Sequence, residues 1–319
     1  MKYLLGIDGG GSKTNILCMD TDGNVIASSS VGATYYRQDG IDAVIDRLRS
    51  GIAQCLPSGA AAAACFGMPG FGDAAELDDA AAAQIAAAFP HIRFRFENDV
   101  VVGWAGALAL TAGVNIVGGT GSIAYGRDAA GKSVRCGGWH EFFSDEGSGY
   151  WLGKELLRLF SMESDGRLER TALHEILREG LQLKDDYDIN QLTATRYAHS
   201  RKETAALQVF LAEAAKKGDP YAQECYRKSA EYLAQIVCST VRQLDFSGET
   251  VKVSYSGGLF NLEDLILKPM RGFVEEQIWP MAMEFQPPVL TPCQGAVLLA
   301  AEAFMPETLQ ALRKNLLSS

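Results

Sequence analysis

Short apolar stretches separated by glycine-rich turns dominate the first third of the chain. The run KYLLGID, a glycine turn, TNILCMD, the turn TDGN and VIASSS together predict three consecutive antiparallel strands. Apolar residues spaced three and four apart over 40–56 predict an amphipathic helix. AAAACFGMPG then predicts a buried strand, the alanine-rich stretch 76–89 a helix, and RFRFEND a strand that ends at Asn98 and Asp99.

The same order of strand, glycine turn, strand, turn and strand begins again near residue 114. VNIVGGTGSIAYG, RDAAGKS and VRCGGW supply these elements, although the two copies have negligible sequence identity. Residues 151–245 show mostly helical periodicity, VKVSYSGGLFN returns to a strand and a glycine turn, and 294–304 predict a last helix. The pattern therefore predicts two similar α/β domains with a boundary near residues 110–115.

Composition and charge narrow the class of protein. A chain of 319 residues with 47% apolar and 21% charged residues is typical of a globular protein of two domains. Its net charge of −10 argues against nucleic acid or an anionic membrane as a partner. The uncharged stretch 100–126 is broken by Gly113, Asn115 and GGTG, which predicts a buried helix and strand instead of a membrane span. Seven cysteines without a C-x-x-C pair, and no signal-peptide core, indicate the cytoplasm.

The glycines and polar side chains of GIDGGGSKT are typical of a phosphate-binding turn, yet the stretch fits neither of the two common phosphate-loop patterns. A Walker A loop has lysine directly after its last glycine, whereas Ser12 separates Gly11 from Lys13 here. A dinucleotide fingerprint needs a third glycine where this chain has Thr14. The remaining interpretation is a glycine turn between two antiparallel strands, with backbone N–H groups that can bind phosphate. A plain hairpin turn is the alternative.

Other residues carry candidate chemistry. GGTGS at 118–122 is a second glycine turn at the equivalent place, and SGGLFN at 256–261 is a third. Asp99 follows a strand and begins a helix, where it can accept a hydroxyl proton or simply cap the helix. Asp145 and Glu146 lie on a loop rich in aromatic residues, and this combination can bind the hydroxyls and ring faces of a sugar. The alternative is that Ser144 or Asp145 caps the helix that follows. The four histidines show no ligand spacing and indicate no metal site.

The order DGGGSKT, GGTGS and SGGLFN resembles the actin-like ATPase superfamily of sugar kinases, Hsp70 and actin. More narrowly, the whole chain resembles the BadF/BadG/BcrA/BcrD group, which includes N-acetylglucosamine kinase, through GIDGGGSKT, NDV, NIVGGTGSIAYG and GGWHEFFSDEGSGYWLG. This resemblance implies two ribonuclease H-like, actin-type ATPase domains with a nucleotide cleft between them. The domains would be 1–112, with a C-terminal helix at about 294–319 packing back on it, and 113–293.

The resemblance also implies a role for individual residues. Asp99 would be the catalytic base, and Asp8 would hold magnesium through water. The phosphates of ATP would be bound by Gly10, Gly11, Ser12, Lys13, Thr14, Gly119, Thr120, Gly121 and Ser122. The adenosine would be bound by Ser256, Gly257, Gly258 and Asn261. The sugar would be bound by Thr34, Tyr35, Asn98, Asp99, Asp145, Glu146 and Gly147.

The resemblance implies that the protein is a kinase that uses ATP and magnesium to phosphorylate a hydroxyl of an amino sugar, expected to be the hydroxyl on C6. It also implies a homodimer. N-acetylglucosamine, N-acetylmuramic acid and glucosamine are the candidate substrates. One departure leaves the sugar open. Many group members have Gly-Pro-Ser-Asn where this chain has GATYYRQDG, so Tyr35 replaces the asparagine that contacts the sugar. The contact would then move to Thr34 or Gln38.

Two other functions remain as alternatives. The group is named after activator ATPases that hold an iron–sulfur cluster through cysteines near the second glycine turn. NIVGGTGSIAY contains no cysteine and Cys136 is isolated, which argues against a cluster. A non-enzymatic sugar or nucleotide sensor could also retain Asp8, Asp99 and the glycine turns.

Overall fold

The chain divides into two compact units. Unit 1 comprises residues 1–115 and 287–319, and unit 2 comprises residues 116–286. The computed structural model describes residues 2–58, 60–246, 248 and 250–318, so Ser319, the end of the predicted C-terminal segment, lies outside the described residues. Within the described residues, no helix combines the length and the apolar character needed to cross a membrane.

A mixed sheet forms the centre of unit 1. Its strands, among the described residues, are β1 (Tyr3–Asp8), β2 (Lys13–Asp20), β3 (Val25–Gly32), β4 (Ala62–Met68) and β5 (Ile92–Asn98). The order across the sheet is β3-β2-β1-β4-β5. Strand β2 is antiparallel to β1 and β3, whereas β4 is parallel to β1 and β5. The parallel strands β1 and β5 therefore end at the same edge, which brings Asp8 and Asp99 to one side of the sheet.

Helices cover this sheet. They are α1 (Tyr36–Asp39), α2 (Ile41–Cys55), α3 (Ala75–Ala88) and α4 (Asp99–Leu108). The apolar positions of α2 that the sequence spaces three and four apart, such as Val44 and Leu48, are buried against Leu5, Ile7 and Phe66 of the sheet. Burial of such side chains is the main contribution to the stability of a domain of this size.

Unit 2 repeats the strand order of unit 1. Its strands are β6 (Gly113–Gly118), which begins in unit 1, β7 (Ser122–Arg127), β8 (Ser133–Gly137), β9 (Val251–Ser256) and β10 (Met283–Gln286). The order among the described residues is β8-β7-β6-β9-β10, which matches β3-β2-β1-β4-β5 position by position. Strand β7 is antiparallel to β8, as β2 is to β3, and β9 is parallel to β10, as β4 is to β5.

Most of the helices lie between β8 and β9. The helices of unit 2 are α5 (Gly149–Ser164), α6 (Ala172–Gly180), α7 (Asp188–Thr195), α8 (Arg201–Ala206), α9 (Gln208–Lys216), α10 (Pro220–Arg242) and α11 (Lys268–Ile278).

One of the four histidines packs in the interior of these helices. His174 of α6 is fully buried, its ring stacks on Phe160 of α5, and its Nε2 lies 2.9 Å from Asp186 Oδ2.

The chain returns to unit 1 through α12 (Pro292–Phe304) and α13 (Leu309–Ser318). Helix α12 begins with a capping box in which Thr291 and Gln294 bond to each other's backbone N–H groups. It packs so closely on β1 and α4 that a Cβ atom at Gly6 would overlap the carbonyl of Cys293, and one at Gly106 the carbonyl of Thr291. Glycine is required at these positions because backbone meets backbone.

Replacing Gly6 by alanine is therefore expected to lower the free energy of unfolding by about 3 kcal/mol, because β1 or α12 must move to accommodate the methyl group. Chemical denaturation measures the change. Gly103→Ala is the matched control, since the nearest atom to a Cβ there lies 3.9 Å away. It should leave stability unchanged or raise it by about 0.5–1 kcal/mol, as alanine does in a helix. Equal stability of the two variants would contradict the close packing of α12.

Candidate functional site

The first glycine turn joins β1 to β2 and presents exposed polar residues. Gly11, Ser12 and Lys13 are exposed, whereas the Thr14 side chain is fully buried. The Oγ1 atom of Thr14 lies 2.7 Å from that of Thr34, which is also fully buried. The Thr34 N–H donates to the Gly10 carbonyl over 3.3 Å. The turn is thereby fastened to the segment that begins at residue 34, and Thr14 and Thr34 present no hydroxyl to solvent.

Asp8 ends β1 beneath this turn. The register places Asp8, Asn15 and Ser30 in one row across three strands, and Ser30 Oγ donates to Asn15 Oδ1 over 3.2 Å. Asp8 also lines a cavity of about 530 Å³, together with residues of β2, β3 and the start of α12. Desolvation by burial raises the pKa of Asp8 to about 6, against the hydrogen bond from Asn15 and the charge of Lys13. A cation beside this carboxylate would offset that desolvation, so the site fits magnesium chemically.

No group of three or more metal-ligating side chains occurs among the described residues. This is compatible with the way proteins bind magnesium to nucleotides, through one or two carboxylates, waters and the phosphates themselves. Asp8 as a magnesium ligand through water remains a prediction.

Asp99 is the first residue of α4. The helix is capped by Asn98, whose Oδ1 accepts from the Val100 N–H over 3.1 Å, so Asp99 does not have the capping role that was the alternative. Asn98 Nδ2 donates to the Phe71 carbonyl over 2.7 Å, which fixes the start of the helix to the loop after β4. Desolvation and, after it, the negative charge of Asp8 together raise the pKa of Asp99 to about 7. A carboxyl with this pKa can take up a proton near neutral pH.

The raised pKa of Asp99 predicts a pH-dependent cost to stability. The unfolded carboxyl ionises near 3.8 and the folded one near 7, so the wild-type protein loses stability as pH rises through that window. Asp99→Asn carries no charge and is expected to escape this loss. Denaturation from pH 4 to 8 measures the difference between them. The stability of the variant relative to the wild type should increase up to about pH 7 and then level off, and a constant difference would contradict the raised pKa of Asp99.

The second glycine turn, 118–122, is bound to the segment 145–150 in unit 2. The Gly149 N–H donates to the Gly119 carbonyl over 2.8 Å, and the Tyr150 N–H donates to the Thr120 carbonyl over 3.1 Å. The Ser122 hydroxyl donates to the Glu146 carbonyl over 2.8 Å. Residues predicted to bind phosphate and residues predicted to bind sugar are thus fastened together in this unit.

Asp145 is the buried centre of this arrangement. It is 3% exposed, its Oδ1 accepts from the Ser122 N–H over 3.2 Å, and its Oδ2 pairs with Arg201 of α8. Desolvation raises its pKa, although the Ser122 N–H and Arg201 oppose that effect. Helix α5 is capped by Ser148, not by Ser144 or Asp145 as the structural alternative proposed. Because both oxygens of Asp145 have partners here, its contact with a sugar stays a prediction.

The third glycine turn packs on the second. Gly257 has φ +104, and a Cβ atom there would overlap the Gly118 carbonyl. The ring of Phe260 lies against Gly118, whereas Gly258 and Asn261 are exposed. The turns that were assigned to phosphate and to adenosine therefore lie next to each other within unit 2.

Comparison with known proteins supplies the family. The model of the BadF/BadG/BcrA/BcrD ATPase family matches residues 5–300, which is nearly the whole chain. The chain belongs to this family. Its membership confirms the resemblance seen in the glycine turns.

Two curated proteins and one crystal structure are similar to this chain over most of their length. The chain is 29% identical over 286 residues to an N-acetylmuramic acid/N-acetylglucosamine kinase of Clostridium acetobutylicum, covering 86% of this chain and 90% of that protein. It is 26% identical to an N-acetyl-D-glucosamine kinase of Dictyostelium discoideum, covering 94% and 98%. A crystal structure from Chromobacterium violaceum, provisionally named an N-acetylglucosamine kinase, has a TM-score of 0.74 at 27% identity, covering 94% and 99%.

These relatives and the two sheets of identical strand order confirm the predicted fold class, two α/β domains of the actin-like ATPase type. The roles of single residues are not addressed by such similarity and remain predictions. The structure adds Arg201 to the residues around Asp145. It also adds Arg37, Asp73 and Asp78 in unit 1, where Arg37 pairs with both carboxylates. Sequence reasoning missed these residues because their partners are distant in the chain.

Proposed function

We propose that this protein is an ATP-dependent kinase that phosphorylates an amino sugar, with N-acetylglucosamine or N-acetylmuramic acid as the first candidates and the C6 hydroxyl as acceptor. The sugar-kinase class follows from the family and from the named activities of its relatives. The observation that carries the proposal is Asp99, a carboxyl of raised pKa at the start of α4 and on the same edge of the sheet as Asp8.

Asp99 has the properties of a general base for phosphoryl transfer. It would accept the proton of the sugar hydroxyl while the oxygen attacks the γ-phosphorus of ATP, so the proton ends on the Asp99 carboxylate and ADP leaves. The exposed Ser12 and Lys13, and the backbone N–H groups of the glycine turns, would bind the phosphates. When bound, magnesium would neutralise phosphate charge, and Asp8 would hold it through water.

The residues proposed to bind ATP and sugar differ in how far they are exposed. Gly11, Ser12, Lys13, Thr120, Gly257, Gly258 and Asn261 are exposed and suited to contact a nucleotide directly. Thr14, Ser122, Thr34 and Asp145 are buried, so their proposed contribution is to hold the turns in shape. Tyr35 and Asn98 are half-buried and stay candidates for the sugar. A cytoplasmic homodimer is part of the same proposal.

The test is ADP release by the purified protein with magnesium and ATP, against a panel of sugars. The panel contains glucose, glucosamine, N-acetylglucosamine, N-acetylmannosamine and N-acetylmuramic acid, and mass spectrometry and NMR of the product locate the phosphate. Release that depends on an N-acetylated sugar, with phosphate on O6, is the expected result. Release without any sugar, or none at all, would overturn the proposal. Iron bound to the purified protein would favour the activator ATPase instead.

A further inference from the structure

The buried carboxylate of Asp78, on α3, has an unusual number of donors. Asp78 is 2% exposed. Its Oδ1 accepts from the Tyr36 hydroxyl and from Arg37 Nη2, the latter over 2.8 Å. Its Oδ2 accepts from the backbone N–H groups of Gly72, over 2.6 Å, and Ala74, over 3.2 Å. One side chain therefore joins the α1 segment, more than 40 positions away, to the loop that precedes α3.

The two segments that Asp78 joins are the ones that flank Tyr35. Gly70 has φ +72, and a Cβ atom there would lie 3.1 Å from the Tyr35 ring. Arg37 Nη1 lies 3.7 Å from Asp73 Oδ2. Tyr35 and the loop 70–74 thus form one continuous surface, which we call the acceptor wall, and Asp78 lies behind it.

The acceptor wall leads to Asp99. The Phe71 carbonyl accepts from Asn98 Nδ2 over 2.7 Å, so the loop is hydrogen-bonded to the residue before the proposed base. Desolvation and Asp8 are the main causes of the raised pKa of Asp99, and the negative charge of Asp73 adds to them. At its other end the wall is fastened to the glycine turn through Thr34 and Gly10.

We infer that Asp78 is a positioning residue for the sugar, which holds Tyr35, Asp73 and the loop 70–74 in the geometry that receives the acceptor beside Asp99. This inference rests on the proposed kinase function. Asp78 itself is too deeply buried to touch a substrate. Its effect is on the affinity for the acceptor sugar, since the segments that it joins form the acceptor wall and Ser12 and Lys13 of the glycine turn are not among its partners.

The test compares Asp78→Asn with Asp79→Asn, which removes a carboxylate from the adjacent, exposed position of the same helix. In Asp78→Asn, one oxygen becomes an amide donor that faces two backbone N–H groups or the Tyr36 and Arg37 donors. The loop should then separate from α1. We expect the KM for the sugar to rise about tenfold, because small displacements of positioning groups have large effects, with the KM for ATP and the pH profile of kcat unchanged. Asp79→Asn should match the wild type within about twofold.

Two milder variants keep the test decisive if Asp78→Asn does not fold. Tyr36→Phe removes one hydroxyl donor, and Arg37→Lys keeps the charge but loses the planar guanidinium group. Each should raise the KM for the sugar by about threefold to fivefold and change the preference between N-acetylated and free amino sugars. A KM for the sugar that is unchanged in both milder variants, and in Asp78→Asn where that variant folds, would overturn the inference, and so would an equal rise in the KM for ATP. Absence of sugar-dependent turnover in the wild type would instead show that the proposed function is wrong, and the inference with it.

Discussion

Asp99→Asn is expected to lower kcat by about 10³-fold, because an amide cannot accept the proton of the sugar hydroxyl. The substitution preserves the size of the side chain and leaves the Asn98 cap of α4 in place. Affinity for ATP and for the sugar should change little, since the variant keeps the polar group that positions the acceptor. Steady-state kinetics together with calorimetric titration of ATP and sugar separate the two effects.

The matched control for this experiment is Asp42→Asn, an exposed acid in the first turn of α2. It changes the net charge by the same amount at a residue with no assigned role and should retain wild-type turnover. A kcat for Asp99→Asn within tenfold of the wild type would show that another group accepts the proton. The half-buried Asp8, whose pKa is also raised, would then be the next candidate.

Gly257→Ala is expected to raise the KM for ATP by about tenfold or more, because the left-handed backbone at φ +104 and the overlap with the Gly118 carbonyl both oppose a side chain. Relief of that overlap requires the second and third glycine turns to move apart, and both are proposed to bind ATP. Kinetics and direct titration of ATP measure the effect, with thermal unfolding as a check on folding.

Gly272→Ala is the matched control, because Gly272 lies on α11 of the same unit and has no assigned role in binding. A Cβ atom at Gly272 meets nothing within 4 Å, so this variant should bind ATP as the wild type does. If Gly257→Ala and Gly272→Ala had the same effect, the contact between the two turns would be irrelevant to nucleotide binding.

The sequence predicted the strands and turns well because their signals are local. The short apolar stretches and the glycine turns predicted the strands β1–β3 and β6–β8, and the capped start of α4 at residues 98–99 is visible as a strand followed by Asn-Asp. The side-chain partners were not predictable in this way. Asp78 is 42 positions from Tyr36, and Asp145 is 56 positions from Arg201. No periodicity or propensity relates such residues, since only the folded chain brings them together.

Local signals were also ambiguous where several polar residues could have the same role. Ser144, Asp145 and Ser148 all have the chemistry of a helix cap, and the structure uses Ser148. The resemblance assigned Thr14 to the phosphates and Thr34 to the sugar, yet their two hydroxyls are hydrogen-bonded to each other. The choice in each case depends on burial, which is a property of the tertiary structure.

The return of α12 to β1 determines the order in which the molecule can be completed during translation. All of unit 2 lies between the two parts of unit 1 along the chain. When the ribosome has released residues 1–286, unit 2 has every strand and helix it needs, whereas the face of β1 around Gly6 still lacks the helix that covers it. The N-terminal sheet is therefore the last part of the protein to be completed, and until α12 is synthesised the apolar face of β1 is uncovered and prone to aggregation.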